Sequence, residues 1–448
     1  MKHTDMKKTL LMAAALLLAT TSLAQTSREE VCADIDKAGG VYLAYREPTV
    51  APTPAPKGYS PFYISHYARH GSRYLISDRD YRWVMDALAR ADSAGALLPL
   101  GKDVLARLTR LWPTVEGRGG DLSPVGVRQH RGIARRMFEN HPEVFRGQRK
   151  VSARSTIVMR CAMSMAAFGD CLKGLAPQLD ISYESSEKYM DYLNYHTALS
   201  NRFTDGNNGP WVGEYKRFEA SLVRPGRLVG SLLGDTAYVR RHIDAASLMW
   251  GLYWIAVDMQ DIDTDIAFYD IFTPDELFDL WQCVNYRFYV GNANHADGNG
   301  IVVANAKNLL RNIIASADEA ISDGGIAATL RFGHDGNVIP LLAILRIGNF
   351  NVAVSRPEET YKAWADFKAV PMAANVQMVF YRPTASTMTK RRGTTGRAGE
   401  KPLAQDADDV LVKFMHNERE VHIPVATDNF PYYKWKDVRA FYMGILSD

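Results

Sequence analysis

Apolar and polar positions along the chain fall into two rhythms, short aromatic or β-branched runs and longer stretches at helical spacing. The first run, residues 10–18, is uninterrupted and follows Lys2, Lys7 and Lys8. It is shorter than the roughly 20 residues of a membrane-crossing helix. Ser22-Leu23-Ala24 comes next as a small-x-small site, so residues 1–24 read as a signal peptide cut before Gln25. No later stretch is long and apolar enough to span a bilayer. Residues 50–58 are Pro-rich and lead into an aromatic, β-branched run at 61–67 that predicts a buried strand.

Helical spacing then takes over. Ser77 or Asp78 can cap a helix carrying Tyr81, Trp83, Val84 and Leu88 and ending near Gly95. A second helix is predicted over 102–111, before Pro113, and Ser123-Pro124 opens a third to about Asn140. Residues 150–156 predict a strand, with Ser155 or Thr156 capping a helix to Lys173. From about 190 to 325 the pattern is mostly helical. Trp250, Tyr253 and Trp254 read there as core, and Thr273-Pro274-Asp275-Glu276 is a capping box. A helix over 302–321 ends at Gly324-Gly325. A short strand ending at Gly333, a helix that Asn337 can cap, and strands at 377–382, 410–416 and 419–425 complete the chain. Strands alternating with helices predict an α/β fold with a mostly parallel central sheet flanked by helices. The block at about 190–325 reads as an inserted helical cap, and residues 25–448 as one domain.

Composition narrows the picture little. The 448 residues are 47% hydrophobic and 23% charged, with formal charge +3. Removing Lys2, Lys7, Lys8 and Asp5 with the leader leaves 50 basic against 49 acidic side chains, no basis for general nucleic-acid binding. Attraction for anions must be local. Lys390, Arg391, Arg392, Arg397 and Lys401 crowd a Gly-containing segment that reads as a solvated hairpin loop. Arg128, Arg131, Arg135 and Arg136 read as a solvated helix face. Cys32, Cys161, Cys171 and Cys283 can pair in an exported protein, but four cysteines allow three connectivities. Their spacing fits no zinc motif, so neither a metal nor another cofactor is expected.

Two stretches carry chemistry. Arg69-His70-Gly71-Ser72-Arg73 sets two guanidinium groups around one imidazole at a strand end, with a glycine for the turn. Guanidinium forks match phosphate oxygens, and a neutral imidazole is a nucleophile near neutral pH. Far downstream, Gly333-His334-Asp335 follows a strand and opens a helix, where a carboxyl group suits proton donation to a leaving oxygen. Arg160 lies early in the helix after residues 150–156, where backbone N–H groups and positive potential suit an anion, and Arg154 in the strand before it is its rival.

The Arg-His-Gly-x-Arg and His-Asp stretches resemble the signatures of the histidine phosphatase superfamily, in its acid phosphatase and phytase branch. Arg331-Phe-Gly-His334 with Pro340-Leu-Leu342 is similar to the multiple inositol polyphosphate phosphatase subgroup, which commonly has His-Ala-Glu where this chain has His-Asp. Arg160 to Phe168 and the tail from Asn417 to Leu446 also look like that superfamily. The resemblance implies His70 as nucleophile and Asp335 as proton donor. It implies Arg69, Arg73, Arg160 and His334 as phosphate ligands, no metal, and a cap that shapes substrate choice. The expected activity is hydrolysis of phosphate monoesters, phytate or other inositol phosphates included, by an exported, periplasmic or secreted enzyme without stable membrane insertion. A general acid or sugar phosphatase is the alternative. A non-catalytic phosphate- or polyanion-binding protein would need only the arginines and neither His70 nor Asp335.

Overall fold

The run at 61–67 lies at the centre of the molecule. A computed structural model describes residues 26–384 and 409–447, so the leader reading at 1–24 and the basic segment at 389–401 lie outside the described residues. Strand β1, Tyr59–Arg69, is buried from Pro61 to its end. Its side chains alternate between two cores: Tyr63 and Tyr67 enter one, Ile64 and Ala68 the other. Both faces are covered, which is why the run is apolar almost without interruption.

The other strands are β2 (Lys150–Ser155), β3 (Asp180–Ser185), β4 (Ile326–Gly333), β5 (Asn375–Pro383), β6 (Leu411–His416), β7 (Arg419–Glu420) and β8 (Tyr432–Lys434). They form one sheet in the order β3-β2-β4-β1-β5-β6-β7, with β8 on β6. The fold class is α/β, as expected, but only β3, β2, β4 and β1 are mutually parallel. The other four join antiparallel, so the sheet is mixed. The cause is where the chain enters β5. Ala373 N–H donates to the His70 carbonyl and Asn375 pairs with Ala68, so β5 starts beside the carboxyl end of β1 and must run back along it. A parallel entry would need a crossover to the far end.

Helices Pro124–Asn140 and Met159–Leu175 cover one face through Ile133, Met137, Phe168 and Leu172. Helices Lys307–Asp323 and Trp435–Ser447 and the helical block cover the other. Ser77 caps its helix, Thr273 forms its capping box and Ser123 caps with Pro124 behind it, as their sequences predict; Asp80 also completes a box at Ser77. The helix predicted at 102–111 runs from Pro99 to Val115, because Pro113 sits in its last turn, where it forfeits one donor. The strand predicted at 419–425 stops at Glu420, ahead of Pro424, which has no N–H for a ladder. No helix among the described residues is long and apolar enough to cross a membrane.

Candidate active site

Parallel pairing sets Arg69 opposite Gly333, and the next N–H, that of His70, donates to the Gly333 carbonyl at 2.9 Å. The two motifs therefore leave the sheet side by side. The rings of His70 and His334 lie 5.7 Å apart, near edge-to-face. Gly71 is required here: a Cβ would come within 2.6 Å of the Gly126 backbone, where the turn crosses the start of helix Pro124–Asn140. Its N–H donates to Ser164 Oγ at 3.1 Å.

His70 Nδ1 lies 2.9 Å from the Gly71 carbonyl oxygen. A carbonyl only accepts, so Nδ1 carries the proton and Nε2 keeps its lone pair. Burial, then the charges of Arg69, Arg73 and Arg160, hold this imidazole well below the usual histidine range. Both effects keep the ring neutral, with the Nε2 lone pair available.

Arg69 is fully buried. Its Nη1 donates to the carbonyls of Val41 and Val370, and its Nη2 lies 3.0 Å from Asp335 Oδ2. Arg73 donates to the Tyr74 carbonyl at 2.7 Å and to the Tyr42 hydroxyl at 3.0 Å, with its guanidinium 4.8 Å from the Tyr42 ring centre. Arg160 is the second residue of helix Met159–Leu175 and half-buried. The Nε–H groups of all three arginines are buried without an acceptor. Unpaired charged donors of that kind are costly unless an anion completes them.

Neither predicted cap of that helix acts as one. Val158 holds the N-cap position without a side-chain bond, and Thr156 Oγ1 instead contacts His334 Nε2 at 3.2 Å. Arg154 has partners elsewhere: its Nε donates to Glu184 Oε2 at 2.9 Å and its guanidinium stacks on Tyr189.

His334 is the N-cap residue of helix Asp335–Ile344, and Asn337, the predicted cap, is buried inside it. Burial brings the His334 ring to about 4 against the pull of Asp335, with the arginines acting in the same direction as burial. Asp335 Oδ1 accepts from Gly336 N–H at 2.8 Å. Burial pushes its carboxyl up, but Arg69, then His334 and the Gly336 N–H, outweigh it and leave the group below the usual carboxylate range. Arg331, between the motifs, is turned into the core and bound by Ser65, Asn312 and Ser316.

Beside Arg73 and Asp335 opens a cleft of about 950 Å³ between the sheet and the helical block. Trp250 and Trp254, expected as core, do pack half-buried against the core but also line the cleft one helical turn apart, whereas Tyr253 is fully buried with its hydroxyl donating to the Ala38 carbonyl. Sequence reasoning also missed Tyr42, which holds Arg73, and two buried carboxylates behind the turn. Asp261 accepts from Ser72 Oγ and Asp258 from the Tyr81 hydroxyl. No local pattern marks them, because their partners are distant in sequence. The four cysteines are free, with Cys161 Sγ 3.6 Å from His334 Nε2. Among the described residues no group of three or more His, Cys, Asp or Glu is placed to hold a metal ion.

No family model matches the chain. Multiple inositol polyphosphate phosphatase 1 of Gallus gallus is 23% identical over 382 residues, 80% of each chain. The multiple inositol polyphosphate phosphatase of Bifidobacterium longum, solved in complex with inositol hexasulfate, superposes with a TM-score of 0.73 at 19% identity, over 91% of this chain and 97% of that one. The phytase from D. castellii gives 0.62 at 14% identity, over 92% and 85%. The similarity expected from the two motifs is found, and the fold is shared across nearly the whole chain.

Proposed function

We propose that this chain, similar in sequence and fold to inositol polyphosphate phosphatases, hydrolyses phosphate monoesters through a phosphohistidine at His70. The observation that carries the reading is the set of three buried guanidinium Nε–H groups without acceptors around a neutral imidazole whose Nε2 is free. A phosphoryl group between Arg69, Arg73 and Arg160 would satisfy them, with His334 donating to a further oxygen. Nε2 of His70 attacks phosphorus in line, and the ester P–O bond breaks. The departing alkoxide takes the proton of the Asp335 carboxyl. Water then attacks the phosphohistidine, the P–N bond breaks, and Asp335 receives the proton. The guanidinium groups neutralise the charge spread over the phosphoryl oxygens.

In the resting site Asp335 is held ionised by Arg69. A phosphate dianion drawing on Arg69 and Arg73 removes that hold and adds negative charge beside the carboxyl. Both effects raise its pKa. The named activities of the relatives support inositol phosphates as substrates, and the leader reading supports export. Phosphate release over a panel of inositol phosphates, sugar phosphates and p-nitrophenyl phosphate, with and without chelator and with His70→Ala as control, tests the reading. Turnover should persist with chelator and vanish in the variant. Loss on chelation, restored by a divalent ion, would contradict the metal-free mechanism.

A further inference from the structure

We infer that the cap side of the cleft takes the ring of a sparsely phosphorylated cyclic polyol face-on, by stacking, and disfavours a hexakisphosphate; this rests on the phosphatase reading above. An aromatic array leads away from the clamp. Arg73 sits over Tyr42, Tyr42 lies 5.6 Å from Trp254, and Trp254 lies 6.0 Å from Trp250 at 20° between planes. Trp250 and Trp254 are four residues apart on helix Ala245–Asp258, so both indoles present to the cleft together. Gly251 lets Trp83 close against the same helix, since a Cβ there would come within 2.3 Å of the Trp83 ring. A cyclitol or pyranose offers flat C–H faces to such a surface, and pockets of this kind fix orientation with few polar groups.

Charge points the same way. Beyond the clamp, Arg287 is the one arginine among the described residues lining the cleft, and the lining includes no lysine. His196 lines it too, with its pKa lowered by burial. Opposed to these are Asp80 and Glu219, the latter accepting from the Tyr215 hydroxyl at 3.0 Å. A ring carrying phosphate on every carbon would bring most of them against this wall, with little cation to meet them and two carboxylates to repel them.

The test is kcat/KM for inositol mono-, tris- and hexakisphosphate with the full chain, at low and high salt. The monophosphate or trisphosphate should exceed the hexakisphosphate by about tenfold or more. Trp254→Ala should raise KM for the monophosphate more than it lowers kcat, and Trp254→Phe should restore most of the loss. Glu219→Lys should narrow the gap by improving the hexakisphosphate. If the hexakisphosphate is the best substrate of the unaltered chain, with kcat/KM falling steeply as salt rises, the inference is overturned while the phosphatase reading stands. If no ester is turned over, or His70→Ala is as active as the parent, the phosphatase reading falls and takes the inference with it.

Discussion

Arg69 Nη2 lies 3.0 Å from Asp335 Oδ2, an ion pair that ties the carboxyl end of β1 to the start of the helix after β4. It joins a guanidinium that the mechanism assigns to phosphate with the carboxyl that it assigns to proton donation. Arg69 holds the Asp335 carboxyl below the usual carboxylate range; in the proposed mechanism a phosphate dianion drawing on Arg69 raises it again. The proposal therefore couples proton donation by Asp335 to phosphate binding.

A pH dependence follows with a definite sign. In the proposed mechanism His70 acts unprotonated, and its pKa lies well below the usual histidine value, so its nucleophilicity should be lost only at low pH. In the same mechanism Asp335 acts protonated, so kcat should fall as pH rises through its pKa in the complex, and the optimum should be acidic. That pKa should exceed the one in the free chain, which Arg69 lowers. Asp335→Asn should remove the alkaline limb and nearly abolish turnover of alkyl phosphates. It should spare phosphorylation by p-nitrophenyl phosphate, whose leaving group needs no proton. Single-turnover rates for the two esters check this, and equal losses for both would deny Asp335 the acid role.

Arg160 and Arg154 should separate cleanly. Arg160 has a buried Nε without acceptor and lowers the pKa of His70, whereas Arg154 is bound by Glu184 and Tyr189. Arg160→Ala should lower kcat/KM by on the order of 10² or more, as for a lost charge-stabilising donor. Arg154→Ala should act mainly on the β2–β3 edge, with a smaller kinetic effect. The reverse order would move the third clamp to Arg154.

Much of this site is legible in the sequence because its parts are local. Arg69, His70, Gly71 and Arg73 fall within five consecutive positions at one strand end, and His334-Asp335 follow another. The cap at Ser77 and the capping box at Thr273 are equally local. What the sequence hides is set by distant contacts. Asp261 meets Ser72 and Tyr42 meets Arg73 only through folding. Trp250 and Trp254 carry the same helical spacing whether they face a core or a cleft, and only the tertiary packing of their helix decides it. Strand β3, Asp-Ile-Ser-Tyr-Glu-Ser, escaped notice because it is an edge strand with mostly exposed or half-exposed side chains and lacks an apolar run. The direction of β5 is set by where the preceding loop passes His70, which no strand pattern records.

Gly71 should tolerate no side chain. A Cβ at 2.6 Å from the Gly126 backbone forces the turn away from helix Pro124–Asn140. Gly71→Ala should lower stability by about 1–3 kcal/mol, the range for overpacking. It should also lower activity by more than the fraction unfolded, because the same shift displaces His70. Thermal unfolding measured beside kcat/KM distinguishes the two effects.

The central claim is a covalent phosphate on His70. Mixing the protein with a phosphate ester labelled at phosphorus, then quenching within milliseconds into denaturing alkali, should trap a phosphoprotein stable in base and labile in acid. Peptide mapping should place the label on His70, and His70→Ala should trap none. Label on another residue, or rapid product formation with no label trapped on any timescale, would contradict the account.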